Sequence, residues 1–126
     1  MRATIAMATA AVLAGCTTAP ALRQQPVAMQ LETTAAPRAY ARCVERAWDA
    51  LPGASADLSR EGGGAYSVVL RQHGQDSVLL LAEPAGEGTR VALRYRPVTA
   101  GGHGAATRAA DDCRANPSGL SVGRDG

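Results

Sequence analysis

Three cysteines, two histidines and thirteen basic residues, every one of them arginine, are the side chains of this 126-residue sequence with the greatest capacity for chemistry. The absence of lysine rules out a Schiff-base nucleophile and the lysine of a phosphate-cradling loop. Cys16, Cys43 and Cys113 form no Cys-x-x-Cys pair, and His73 and His103 stand at no ligand-like spacing from Cys43 or Cys113. Neither a metal nor any other cofactor is therefore expected. His103 lies in Gly101-Gly102-His103-Gly104 and would need both a nucleophile and an orienting carboxylate to act as a base. Asp111, Asp112, Ser118 and Ser121 would have to be recruited for that, so an enzyme is not expected. His73 reads as a solvated turn residue.

Two further clusters read as structure rather than chemistry. Gly62-Gly63-Gly64 lacks the spacing of a nucleotide loop and precedes a strand pattern, so it reads as a hairpin connection. Glu45 and Asp49 interleave with Arg42 and Arg46 at helical spacing, the pattern of ion pairs on a solvated face. General acid catalysis would need an apolar pocket that raises one carboxyl pKa, and nothing around these residues suggests one. The formal charge is only +2, with 13 basic against 11 acidic residues. Without a concentrated basic face, nucleic acid is not an expected partner.

The N-terminus points to export. Met1-Arg2 is followed by a short uncharged stretch and then by small residues, the layout of a secretory signal over residues 1–15. The stretch is too short to span a bilayer, which takes roughly 20 residues. Leu13-Ala14-Gly15-Cys16 resembles the lipobox of bacterial lipoproteins. That resemblance implies that the Cys16 thiol receives a diacylglycerol, that cleavage falls just before it, and that the new amine is acylated, as by palmitate. Several acyl chains anchor a protein stably where one holds it only marginally. Thr17 and Thr18, rather than Asp, follow the cysteine, and the resemblance then implies the outer membrane, facing the periplasm, in preference to the inner membrane.

With Cys16 assigned to lipid, Cys43 and Cys113 read most simply as one disulfide of an exported domain, two free thiols being the rival. In the chain-entropy model a loop of about 70 residues closed this way contributes about 4 kcal/mol. In an envelope setting the arginines gain a possible role. Arg90, Arg94 and Arg96 share one face of a strand pattern, and Arg71 lies at the end of another. Arginine forks grip phosphate or carboxylate bidentately, so this stripe would suit an anionic glycan or lipid such as lipopolysaccharide phosphate or a peptidoglycan carboxylate. The alternative is a solvated face that protects a sheet edge.

The elements that must position these residues follow from periodicity. Residues 16–26 hold two prolines and no period, and read as a lipidated flexible tether. Val27, Met29 and Leu31 alternate as a short strand. Tyr40, Val44, Ala47, Trp48 and Leu51 make one apolar stripe on a helix from Pro37 to Leu51, closed by Pro52-Gly53. Residues 54–60 suit a weak edge strand. Tyr66/Val68/Leu70, the all-apolar Val78–Leu81 run and Val91/Leu93/Tyr95 predict a three-strand antiparallel meander. Residues 105–115 have helix-forming composition with almost no large apolar side chain, and 116–126 read as a disordered tail.

The expected fold is therefore a single α+β domain over residues 27–115. A small antiparallel sheet is covered by the first helix, stapled by Cys43–Cys113, and followed by a short C-terminal helix. About 20 large apolar residues make a thin core for a domain of this length, which is when a staple is needed. The Cys43-x4-Trp48 helix, the Gly64-x-Tyr66-Ser67 strand start, the meander and the late Cys113 are similar to a group of small proteobacterial lipoproteins without assigned function, a resemblance that implies no activity. Residues 105–115 depart from that group in lacking aromatic or aliphatic side chains. The expected function is a lipid-anchored, non-catalytic structural or interaction protein of the envelope, with an envelope protein as partner. A binding or inhibitor module for an anionic envelope ligand, acting through the arginine stripe, is the alternative.

Overall fold

The apolar stripe beginning at Pro37 forms the helix that carries the core. This helix, α2 (Pro37–Asp49), starts on a proline, whose missing N–H costs nothing in a first turn. It buries Tyr40, Ala41, Cys43, Val44 and Trp48. The computed structural model describes residues 19–97 and 103–117. The expected signal, Cys16 and the tail beyond Pro117 lie outside the described residues. In chain order the other elements are α1 (Ala19–Arg23), β1 (Met29–Thr33), β2 (Ala54–Gly62), β3 (Ala65–Gln72), β4 (Gln75–Ala85), β5 (Gly88–Tyr95) and α3 (Gly104–Ala115).

The class is α+β: a five-stranded antiparallel open sheet, in the order β1-β5-β4-β3-β2, with short helices. Strands alternate their side chains between two faces. On the first face the register aligns Leu58, Val68, Leu80, Leu93 and Met29 across all five strands. The buried members of that row join α2 in one core with Leu70, Val78, Ala82 and Val91. On the second face the same register aligns Ser59, Ser67, Leu81, Ala92 and Gln30, and beside them Asp57, Val69, Leu79 and Arg94. The Val78–Leu81 run is apolar on both faces because β4 is the central strand.

Residues 19–23 overturn the expectation of a free tether over 16–26. They form α1, which packs on β4 and β5. Leu22 is only 1% exposed, and Leu79 is fully buried although neither belongs to the main core. Leu22 is the apolar side chain that this short helix buries, and an isolated leucine leaves no periodic trace in a sequence. The described part of the domain therefore starts ahead of residue 27.

The hairpins explain the glycines. Gly63 and Gly64 have φ of 62° and 83°, and His73 and Gly74 have φ of 51° and 81°. Each pair fills a two-residue turn with φ positive at both positions, the twist that matches paired strands. Pro84 lies inside β4, but the β3–β4 register ends at Tyr66 and Ala82, so its missing N–H breaks no rung with β3. Gly88 is required by crowding: a Cβ there would run into the backbone carbonyl of Thr33 and the Cα of Thr34. Gly88→Ala is expected to push β1 away from β5 and cost about 1–3 kcal/mol, as overpacking does. Urea unfolding, followed by tryptophan fluorescence, measures it; an unchanged midpoint would show that β1 moves freely.

Candidate functional site

Among the described residues the cysteines lie at the seam between α2 and α3, and most of the arginine stripe lies on the second face of the sheet. At the seam, Cys43 and Cys113 form a disulfide with Cα atoms 5.8 Å apart, across a separation of 70 residues. Two side chains of α2 reach over to α3 beside it. The Tyr40 hydroxyl donates to the Ala110 carbonyl at 2.7 Å, and the Trp48 indole N–H donates to the Ala106 carbonyl at 3.1 Å. Ala106, Ala110 and Cys113 are the buried residues of α3. Its docking face has no bulk, so the aromatic rings can approach the helix backbone closely enough to bond its carbonyls, each of which has two lone pairs. The residue composition that gave no apolar stripe is thus what lets α3 dock. Burial raises the Tyr40 hydroxyl well above the ordinary phenol range; the Asp111 charge adds to this and Arg114 opposes it.

The arginine stripe is present in part, and most of it is already engaged. Arg90 and Arg94 lie on the second face of β5, whereas Arg96 follows the end of that strand. Arg94 Nε donates to the Gln25 carbonyl at 3.0 Å, and Arg96 Nε to the Asp76 carbonyl at 3.3 Å. Arg71 pairs with the Asp76 carboxylate at 3.0 Å. Arg90 is exposed and stands in register between Glu32 and Glu83 on the flanking strands. Cross-strand neighbours of opposite sign attract each other, so Arg71 and Arg90 face acidic groups, while Arg94 and Arg96 each tie down a backbone carbonyl through Nε. What brings Gln25 over Arg94 is α1, an element that the sequence pattern did not announce.

The second face carries one more polar cluster. Glu61 accepts the Ser67 hydroxyl at 2.6 Å and pairs with Arg23 of α1 at 2.8 Å. Asp49, expected in an ion pair along α2, instead accepts the Ala56 N–H at 3.2 Å and so caps part of the outer edge of β2. His103 stacks on Tyr95 with ring centroids 4.5 Å apart, and its Nε2 lies 3.3 Å from the Arg96 carbonyl. Tyr95 and Thr107 share a 2.6 Å hydrogen bond beneath it. Asp111 pairs with Arg114 rather than with His103, while Ser118 and Ser121 lie outside the described residues. Gly119-Leu120-Ser121-Val122-Gly123 does spell Gly-x-Ser-x-Gly, but it follows a helix and a proline rather than a strand, which is not the context of a nucleophile elbow. His73 is exposed at its hairpin corner, as expected.

Two open hollows flank these features. One, of about 540 Å³, lies where Glu32, Thr33 and Thr34 meet the β4–β5 hairpin and Arg114. The other, of about 470 Å³, lies along the seam and is lined by the disulfide with Arg46, Ala109, Asp112 and Asn116. Among the described residues no group of three or more His, Cys, Asp or Glu is arranged to hold a metal ion. No described helix is long and apolar enough to cross a membrane. No protein-family model, curated protein or solved structure matches this chain.

The seam generates two expectations. Replacing Cys43 and Cys113 together by alanine should cost about 4 kcal/mol. Amide exchange should show α3 losing protection before β3 and β4; simultaneous loss in sheet and helix would mean that α3 is not separately stapled. A phenol whose pKa rises on folding stabilises the protein fully below its unfolded value near 10, and that contribution is lost as pH climbs above it. Tyr40→Phe should therefore cost about 1 kcal/mol at neutral pH, yet lose less stability than the native chain above pH 10. Parallel alkaline profiles for the two proteins would remove Tyr40 as the source.

Proposed function

We propose that this chain is a lipid-anchored lipoprotein of the outer membrane, facing the periplasm, with a non-catalytic structural or interaction role in the envelope. The observation that carries the reading is Leu13-Ala14-Gly15-Cys16 at the end of a signal-like segment. The Cys43–Cys113 disulfide supports it, since such bonds persist outside the cytoplasm. A small domain with β2 to β5 as consecutive antiparallel strands, α2 packed on β2 to β4 and α3 stapled to α2 suits such a role. A non-catalytic role is favoured by the way its hydroxyls are used. Ser67 bonds Glu61, Ser77 bonds the Leu70 carbonyl and Gln72, and Thr89 bonds the Ala35 carbonyl, each joining one segment to another. Recognition of an anionic ligand through Arg71, Arg90, Arg94 and Arg96 is the weaker reading, because three of those guanidinium groups already hold partners in the fold.

Mass spectrometry of the mature protein from a bacterial envelope tests the anchor. The expected N-terminal residue is Cys16 carrying acyl groups, and Cys16→Ala should leave the chain uncleaved and unlipidated. A mature N-terminus without lipid, or one that is not Cys16, overturns the assignment.

A further inference from the structure

Helix α1 begins at Ala19, three residues beyond Cys16, and it is fastened to the sheet at several points. Leu22 is buried, Arg23 pairs with Glu61, and the Gln25 carbonyl just after the helix accepts from Arg94. Ser67, Leu79 and Arg94 all lie on the second face, so this is the face that α1 occupies. Three peptide units span at most about 11 Å. Acyl chains on Cys16 would therefore hold the domain by its second face, with hardly any slack. On the opposite side α2 packs on β2, β3 and β4, and a helix with its side chains is about 10 Å thick. The outer surface of α2 is thus at least that much farther from the anchor point.

We propose that the second face of the sheet lies against the lipid headgroups of the membrane that holds Cys16, so that the bilayer surface is its partner. The proposal rests on the lipid-anchor reading above and adds an orientation to it. Apart from α1, the exposed side chains on this face are polar or charged, from Ser55, Asp57 and Ser59 at one edge to Glu83, Arg90 and Glu32 towards the other, with half-buried Val69, Leu81 and Ala92 between them. A polar surface that carries both signs of charge sits among hydrated headgroups without penetrating the layer beneath them. The outward faces of α2 and α3, with Arg42, Asp49, Arg108 and Arg114, then point into the aqueous space.

The test uses the full mature protein, with methyl-labelled leucine and valine, in phosphatidylcholine nanodiscs containing headgroup-nitroxide phosphatidylcholine. Broadening of the Val69 and Leu81 methyl signals should exceed that of Leu51 and Leu58, on the α2 side, several-fold. Inserting a spacer of about ten Gly/Ser residues between Thr18 and Ala19, which leaves the lipid in place and frees the domain, should abolish the difference. Equal broadening on the two faces of a protein shown by mass spectrometry to carry lipid on Cys16 overturns the orientation while leaving the anchor intact. A difference that survives the spacer overturns the short span as its cause. A mature chain without lipid on Cys16 overturns the anchor reading and this one with it.

Discussion

Cys43–Cys113 joins an ordinary core-forming helix to one that has no apolar bulk of its own, and much of the remaining packing depends on that join. On its own account α3 is a weak packing element, with Ala106, Ala110 and Cys113 as its buried side chains. Burying alanines removes little area from water, and free energy of burial scales with area. The covalent link keeps α3 beside α2, and proximity then lets Tyr40 and Trp48 bond its carbonyls. Those two bonds in turn satisfy the polar ends of the two largest fully buried side chains, which would otherwise be costly to bury. Disulfide and aromatic hydrogen bonds are therefore not independent contributions. Each makes the other effective, and together they close the side of α2 that the sheet does not reach.

The sheet is asymmetric for a related reason. Its first face contributes to the continuous core in which α2 meets β2, β3 and β4, while its second face has one turn of helix and a patchwork of serine, glutamine, arginine and half-buried aliphatic residues. The second face is held by single interactions: Leu22 on the central strands, Arg23 on Glu61, and Arg94 on the Gln25 carbonyl. Arginine suits such places because its guanidinium offers several donors in a fixed plane on a long stem. In this chain the arginines of the sheet act mainly as ties between segments. A row that looks like a ligand-binding stripe when only spacing is visible becomes part of the scaffold once its partners are in view.

Much of the sheet was legible from the residue order. Tyr66, Val68 and Leu70 announce β3, the two-sided apolar run from Val78 marks a central strand, and Pro37 with Tyr40, Val44 and Trp48 sets α2. Positive-φ turns could be anticipated wherever glycines fell between such runs. The candidate site was legible only in its cysteines. The docking of α3 was hidden because its attachment uses backbone carbonyls, which every residue possesses and no residue type signals. The docking of α1 was hidden because a single leucine between prolines has no period. Asp49 was misplaced for the same reason: its partner is the N–H of Ala56, not a charge along its own helix.

By itself the sequence determined the class of the domain, its main helix and central strands, the number of cysteines and the signal-like start. These depend on neighbours two to four positions apart, and the spacing of apolar residues encodes them directly. Tertiary structure decided what became of α1, α3 and the arginines. Their contacts join Arg23 to Glu61, Gln25 to Arg94 and Tyr40 to Ala110, across 38, 69 and 70 positions of chain. No local pattern carries such pairings. They exist because the sheet and the disulfide hold distant segments side by side, where ordinary polar groups stand at bonding distance.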